Sequence, residues 1–258
     1  MSEENRLRMR KIQEVIINED YPLFKKLLDE ELNHKDIYHI KIGEDTLLEY
    51  ALRNGSYSMF EHISDFMDIN KIHKPIHEPT ILAEYIQDMP DQVLTAVELL
   101  LKYIDNVDER SGGQTSLGIT LQNYRSYGTG ETIESENYGD LCKKIVALLL
   151  DHGADPFIEL TRIISDNEFE LLDIFLEHSK YDFTERALHT SITVNNYDFV
   201  EHLLKYCDDI NFRFLNIKSE SCNLLWLAKV MEPRNEDIIE LLITNGCRTP
   251  VPEVRARY

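Results

Sequence analysis

Nine histidines and 47 aspartates and glutamates supply ample material for metal binding or acid–base catalysis. Only His73 and His77, in HKPIH, are spaced closely enough to suggest a shared ion. Pro75 between them predicts a loop, and two ligands would still need a third and fourth from elsewhere. Cys142, Cys207, Cys222 and Cys247 are far apart and contain no CxxC pair, so they read as reduced thiols, not as zinc ligands or a disulfide framework. Gly128-Thr129-Gly130 lacks the Lys-Ser/Thr ending and the preceding strand of a phosphate loop. Neither a GxSxG elbow nor an HExxH helix occurs. No enzyme is expected, with no catalytic residue, no metal site and no cofactor.

The chain of 258 residues contains 43% hydrophobic and 29% charged residues, a composition that folds in water. Ten glycines and eight prolines are too few for an all-β fold full of tight turns. No apolar run approaches the roughly 20 residues of a membrane helix. The charged start, MSEENRLRMRK, shows no secretory leader. The expected location is the cytoplasm, that of a host if the chain is viral or delivered. The formal net charge of −20 repels nucleic-acid backbones and anionic membranes and either attracts basic partners or serves solubility alone.

The elements that would position any site come in a repeated layout. TLLEYALRNG at 46–55 reads as a short helix and a turn, and SYSMFEHI opens a second helix. LTRIISDNEFELLDIFL at 160–176 and LHTSITVNNYDFVEHLL at 188–204 repeat it, with Asp166–Asn167 and Asn195–Asn196 at the turn. Apolar residues of the first helices align at Ile12, Leu48, Leu82, Leu117, Leu160, Leu188 and Leu225, at intervals of 36, 34, 35, 43, 28 and 37 residues. One such unit cannot bury both its apolar faces, whereas a stack of seven can.

With Thr46-Leu47-Leu48, Ala51 and Gly55, Thr115-Ser116-Leu117, Ala187-Leu188-His189, and Leu148-Leu149-Leu150 before Gly153-Ala154-Asp155, the chain resembles the ankyrin repeat family over about residues 8–248. The opening proline is missing from every unit, and the opening histidine survives only at His189. The resemblance implies an all-α solenoid of stacked helix–turn–helix repeats with short or degenerate hairpin fingers. It also implies that His189 hydrogen-bonds the adjoining loop and that Trp226 fills the same slot in packing. The whole chain, 1–258, is expected to be one ankyrin-repeat domain, with an N-terminal capping repeat at 1–40 and a C-terminal cap and tail at 222–258.

Departures from regularity mark the candidate binding surfaces. About 17 extra residues at 124–140, YRSYGTGETIESENYGD, read as an inserted loop carrying Tyr124, Tyr127 and Tyr138 with Glu131, Glu134 and Glu136. Helices are expected on either side, at about 114–122 and 141–151. The family resemblance adds the fingers, which offer Tyr38, Asp108, Glu109, Tyr181 and Asp182. It places others near 71–79 and 208–220, with Phe212 and Phe214, and a shortened junction near Phe157.

These features describe a protein–protein interaction module, an acidic adaptor or inhibitor that grips a basic protein. An anti-defence, effector or immunity-type role is one form of that reading. A DNA mimic filling the nucleic-acid channel of a nuclease or DNA-binding protein is the alternative, which a steep salt dependence of binding would mark. An unrecognised small-molecule site would require a deep polar pocket. Neither direct nucleic-acid nor membrane contact is expected, and the residues set no oligomeric state.

Overall fold

The computed structural model describes residues 3–31, 40–43, 45–71, 80–89, 92–110, 112–130, 132–179, 183–215, 221–231 and 235–248. Within these the chain is helical apart from two small hairpins, and the helices fall into seven consecutive pairs. They gather into two compact units, Met1–His152 and Gly153–Tyr258.

The first unit holds four pairs: α1 (Glu3–Ile17) with α2 (Tyr21–Glu31), α3 (Leu47–Arg53) with α4 (Tyr57–Ser64), α5 (Ile81–Asp88) with α6 (Val93–Leu101), and α7 (Ser116–Asn123) with α8 (Ile133–Asp151). The second holds α9 (Leu160–Ser165) with α10 (Phe169–His178), α11 (Phe183–Thr193) with α12 (Tyr197–Leu204), and α13 (Leu224–Val230) with α14 (Glu236–Thr244). All seven aligned first-helix residues, from Ile12 to Leu225, are buried. Strands β1 (Lys41–Ile42) and β2 (Asp45–Thr46) form one antiparallel finger; β3 (Phe214–Leu215) and β4 (Ser221–Cys222) form the other.

Local chemistry explains why each helix starts and stops where it does. Thr46, Thr80 and Thr115 sit in extended backbone before α3, α5 and α7, and each hydroxyl accepts the N–H of the residue three further on. Asn223 does the same for α13. At Thr46 the cap is reciprocal, because Glu49 accepts the Thr46 N–H at 2.7 Å. The turn inside a pair needs a left-handed residue, supplied by Gly55 at φ +71°, Asn167 at +57° and Asn195 at +60°. Glu19 and Met89 take the same conformation without an amide or glycine to favour it.

Polar side chains then lock successive pairs together. Ser56, Asn123 and Asn196 donate to the carbonyls of Ile16, Ile86 and Ile164 at 3.0, 2.9 and 2.7 Å, each near the end of the preceding first helix. After the second helices, Asp68-Ile69-Asn70 and Asp209-Ile210-Asn211 form matching turns. Asn70 donates to the Tyr103 carbonyl and accepts the Asp105 N–H; Asn211 donates to the Gly246 carbonyl and accepts the Arg248 N–H. These bonds satisfy backbone groups that helix ends leave open, and they set the spacing between repeats.

The segment expected to be an inserted loop at 124–140 is helical over Tyr124–Gly128 and from Ile133 onward. Tyr124–Gly128 continues α7 as a π-helical turn, and α8 begins at Ile133, not near 141. A reciprocal cap between Thr132 and Ser135 starts that helix. Two glycines that suggested flexibility are instead a packing contact. A Cβ on Gly139 would lie 2.6 Å from the Gly128 carbonyl oxygen, and one on Gly128 would lie 2.7 Å from the Gly139 Cα. Gly139→Ala should therefore destabilise the protein by about 1–2 kcal/mol, even though alanine is intrinsically the better helix former. Hydrogen exchange should quicken first at 124–128 and the start of α8; an unchanged melting temperature would contradict that packing role.

Candidate functional site

Among the described residues, the structure brings several of the candidate side chains together where the end of α7 meets α8. Tyr127 and Tyr138 meet edge to face at 5.6 Å, joining the π-helical turn to α8, while the Lys143 ammonium lies 5.9 Å over the Tyr124 ring. Tyr127 is exposed, as are Glu134 and Glu136 in the first turn of α8. Burial, Cys142 and Tyr127 push the Tyr138 hydroxyl up to about 12. Asp108 and Glu109 lie in the turn after α6, where the Asp108 N–H donates to Asn106. Tyr38, Glu131, Tyr181 and Asp182 lie outside the described residues, as does the HKPIH segment.

Among the described residues, no three His, Cys, Asp or Glu side chains gather as metal ligands, and no helix is long and apolar enough to cross a membrane. All four cysteines are thiols. Burial raises the Cys142 thiol to about 12, which keeps it protonated and unreactive near neutral pH.

Two surfaces of the second unit stand out, one on each row of helices. The first-helix row and its finger form a cleft of about 250 Å³ lined by Phe157, Glu185, Arg186, His189, Phe212 and Phe214. The Phe157 ring stacks on buried Phe183 at 5.8 Å, and the Arg186 guanidinium lies 4.0 Å from the centre of its ring. Thus the short junction after Asp155 does more than omit a finger: it delivers an aromatic wall. The Phe157 N–H donates to Asp155 at 2.9 Å, which fixes its approach.

His189 forms another wall, its ring centre 4.9 Å from that of Phe214 on β3 in an edge-to-face contact. Its contact with the finger is thus aromatic, where a hydrogen bond was expected. It is also not at a helix opening, because α11 begins six residues earlier, at Phe183. Burial, and next the Arg186 charge, hold its pKa below the usual 6.5. As pH falls through 6.5, the unfolded chain takes up a proton that the folded chain resists, so stability declines. His189→Asn should flatten this part of the urea-midpoint profile between about pH 7.5 and 5.5; a profile as steep as that of the unaltered chain would remove His189 as its source.

The opposite row consists of α10, α12 and α14. Phe169 and Phe199 lie 4.3 Å apart and the His202 ring meets Asp173 at 2.7 Å, joining α10 to α12. Facing solvent are Glu170, Asp173 and Glu177 on α10, Asp198 and Glu201 on α12, and Glu236, Asp237 and Glu240 on α14. None of these three helices contains a lysine or arginine. Desolvation and the charges of Glu201, Asp237, Asp198 and Glu240 raise the Tyr197 hydroxyl above its ordinary value. In the first unit the corresponding row is mixed, with Lys25 and Lys26 on α2 and Lys143 and Lys144 on α8.

The cleft joins residues up to 57 positions apart in the chain, and Arg186 carried no sequence signal. The acidic row was legible in principle, since acids recur in three second helices that contain no lysine or arginine.

No family model matches the chain, and no curated protein matches it. The solved human ASB11 ankyrin repeat domain aligns with 93% of this chain and 98% of its own, at 14% identity and a TM-score of 0.37. At that score the likeness bears no weight. The repeat assignment rests on the seven helix pairs, their left-handed turns and the bonds between them.

Proposed function

We propose that the chain is a non-enzymatic protein-binding module, an adaptor or inhibitor, that grips a basic protein. The observation carrying this reading is the row α10, α12 and α14, where eight exposed carboxylates face solvent without a lysine or arginine on the same helices. Like charges held on a rigid row repel one another, and a cationic partner relieves that repulsion while being steered toward the surface. A stack of repeats suits blocking or scaffolding, because it presents an extended rigid surface. If the partner is a nuclease or a toxin, the role becomes of the immunity or anti-defence type.

A photo-crosslinking benzophenone side chain in place of Tyr197, at the centre of the acidic row, tests the reading in the native cell. The expected product is a covalent adduct with a protein rich in lysine and arginine. An acidic or neutral adduct, or equal capture by the same probe at Lys25 on α2, would refute it. Salt titration of the recovered complex distinguishes the alternative: a very steep loss of affinity marks mimicry of a phosphate backbone.

A further inference from the structure

We infer that the cleft on the first-helix row of the second unit receives one aromatic side chain of a partner protein, with a neighbouring carboxylate of that partner on Arg186. The cleft lies on the other row of helices from the acidic surface, so the inference does not depend on the charge of the protein bound there.

Size selects the occupant. At about 250 Å³ the cleft falls below the roughly 300–1,000 Å³ typical of small-molecule sites, and it matches a single large side chain. Its walls are aromatic on three sides: Phe157 backed by Phe183, Phe214 edge to face with His189, and Phe212 with its ring centre 6.2 Å from that of Phe214. Rings arranged with exposed faces and edges favour another ring between them, and aromatic side chains anchor protein interfaces by filling such pockets.

Charge selects the flank. The Arg186 side chain is exposed, and its guanidinium lies over the Phe157 ring at 4.0 Å. A guanidinium stacked on a ring keeps its N–H fork in its own plane, where a carboxylate can be held by two parallel bonds. Glu185, the other charged residue of the lining, already takes part in an interaction of its own. The lowered pKa of His189 leaves its ring neutral at neutral pH, ready to pair with a tyrosine hydroxyl or an indole N–H.

Titrating the full chain with acetyl-Glu-Tyr-amide, followed by amide NMR, tests the assignment. Saturable shifts at Arg186, His189 and Phe214 are expected, with a dissociation constant on the order of millimolar for so small a ligand. Acetyl-Gln-Tyr-amide should bind about fivefold more weakly, the size of one exposed ion pair, and acetyl-Glu-Ala-amide should not saturate. In Arg186→Gln the two tyrosyl peptides should become equal, and in Phe214→Ala both should be lost. Failure of acetyl-Glu-Tyr-amide to saturate would overturn the inference. Saturation that persists unchanged in both Arg186→Gln and Phe214→Ala would overturn it as well, by placing the peptide elsewhere.

Discussion

Replacing Phe199 with alanine is expected to lower the unfolding free energy by about 3–5 kcal/mol, the largest single-residue loss in the second unit. Phe199 is fully buried on α12, its ring lies 4.3 Å from Phe169 on α10, and its N–H donates to the cap residue Asn196. The substitution leaves the cap intact and opens a cavity between two pairs. A solenoid has no central core into which neighbouring side chains can collapse, so its stability is a sum of pair and interface terms. Urea unfolding should show a lower midpoint, and exchange protection should fall in α10 and α12 together. A cost below about 1 kcal/mol would mean that the two helix pairs do not share a core.

A second large effect concerns binding. Glu177→Gln, Glu201→Gln and Glu240→Gln remove one carboxylate from each helix of the acidic row, at positions beyond the first turn where no cap is disturbed. Folding stability should change by less than about 0.5 kcal/mol, since these residues are exposed. Association with the basic protein recovered at Tyr197 should slow by about 10- to 1,000-fold at low ionic strength. The difference should shrink as salt shortens the screening length. Glu134→Gln with Glu136→Gln, at the start of α8, is the matched control. An equal loss there would move the site to the tyrosine-bearing surface that the sequence first suggested.

The helical extension shows why the expectation of a loop at 124–140 was reasonable and what overrides it. Residues 124–140 combine three glycines, four serines or threonines and few aliphatic residues, which by composition is loop. Gly128 and Gly139 are small because a π-helical turn and α8 touch there, a contact between residues 11 apart that no local pattern announces. Tyr127 and Tyr138 read as free recognition side chains, yet they meet each other. Glycine signals freedom when read along the chain and close approach when read across it.

What the sequence by itself determined is the repeat. The alternation of buried leucines, turn residues and threonine caps is encoded within about 35 residues, because helices, caps and left-handed turns depend on near neighbours. Hence all seven pairs could be counted, and every aligned first-helix residue from Ile12 to Leu225 is buried. The excess of acid was equally plain, but its concentration on one row required the helices to be laid side by side. Tertiary structure alone decided the cleft. Phe157 comes from a shortened junction, Arg186 and His189 from successive turns of α11, and Phe212 and Phe214 from the next finger. Their meeting depends on how repeats stack, and stacking is set by packing between residues that carry no sign of one another in the chain.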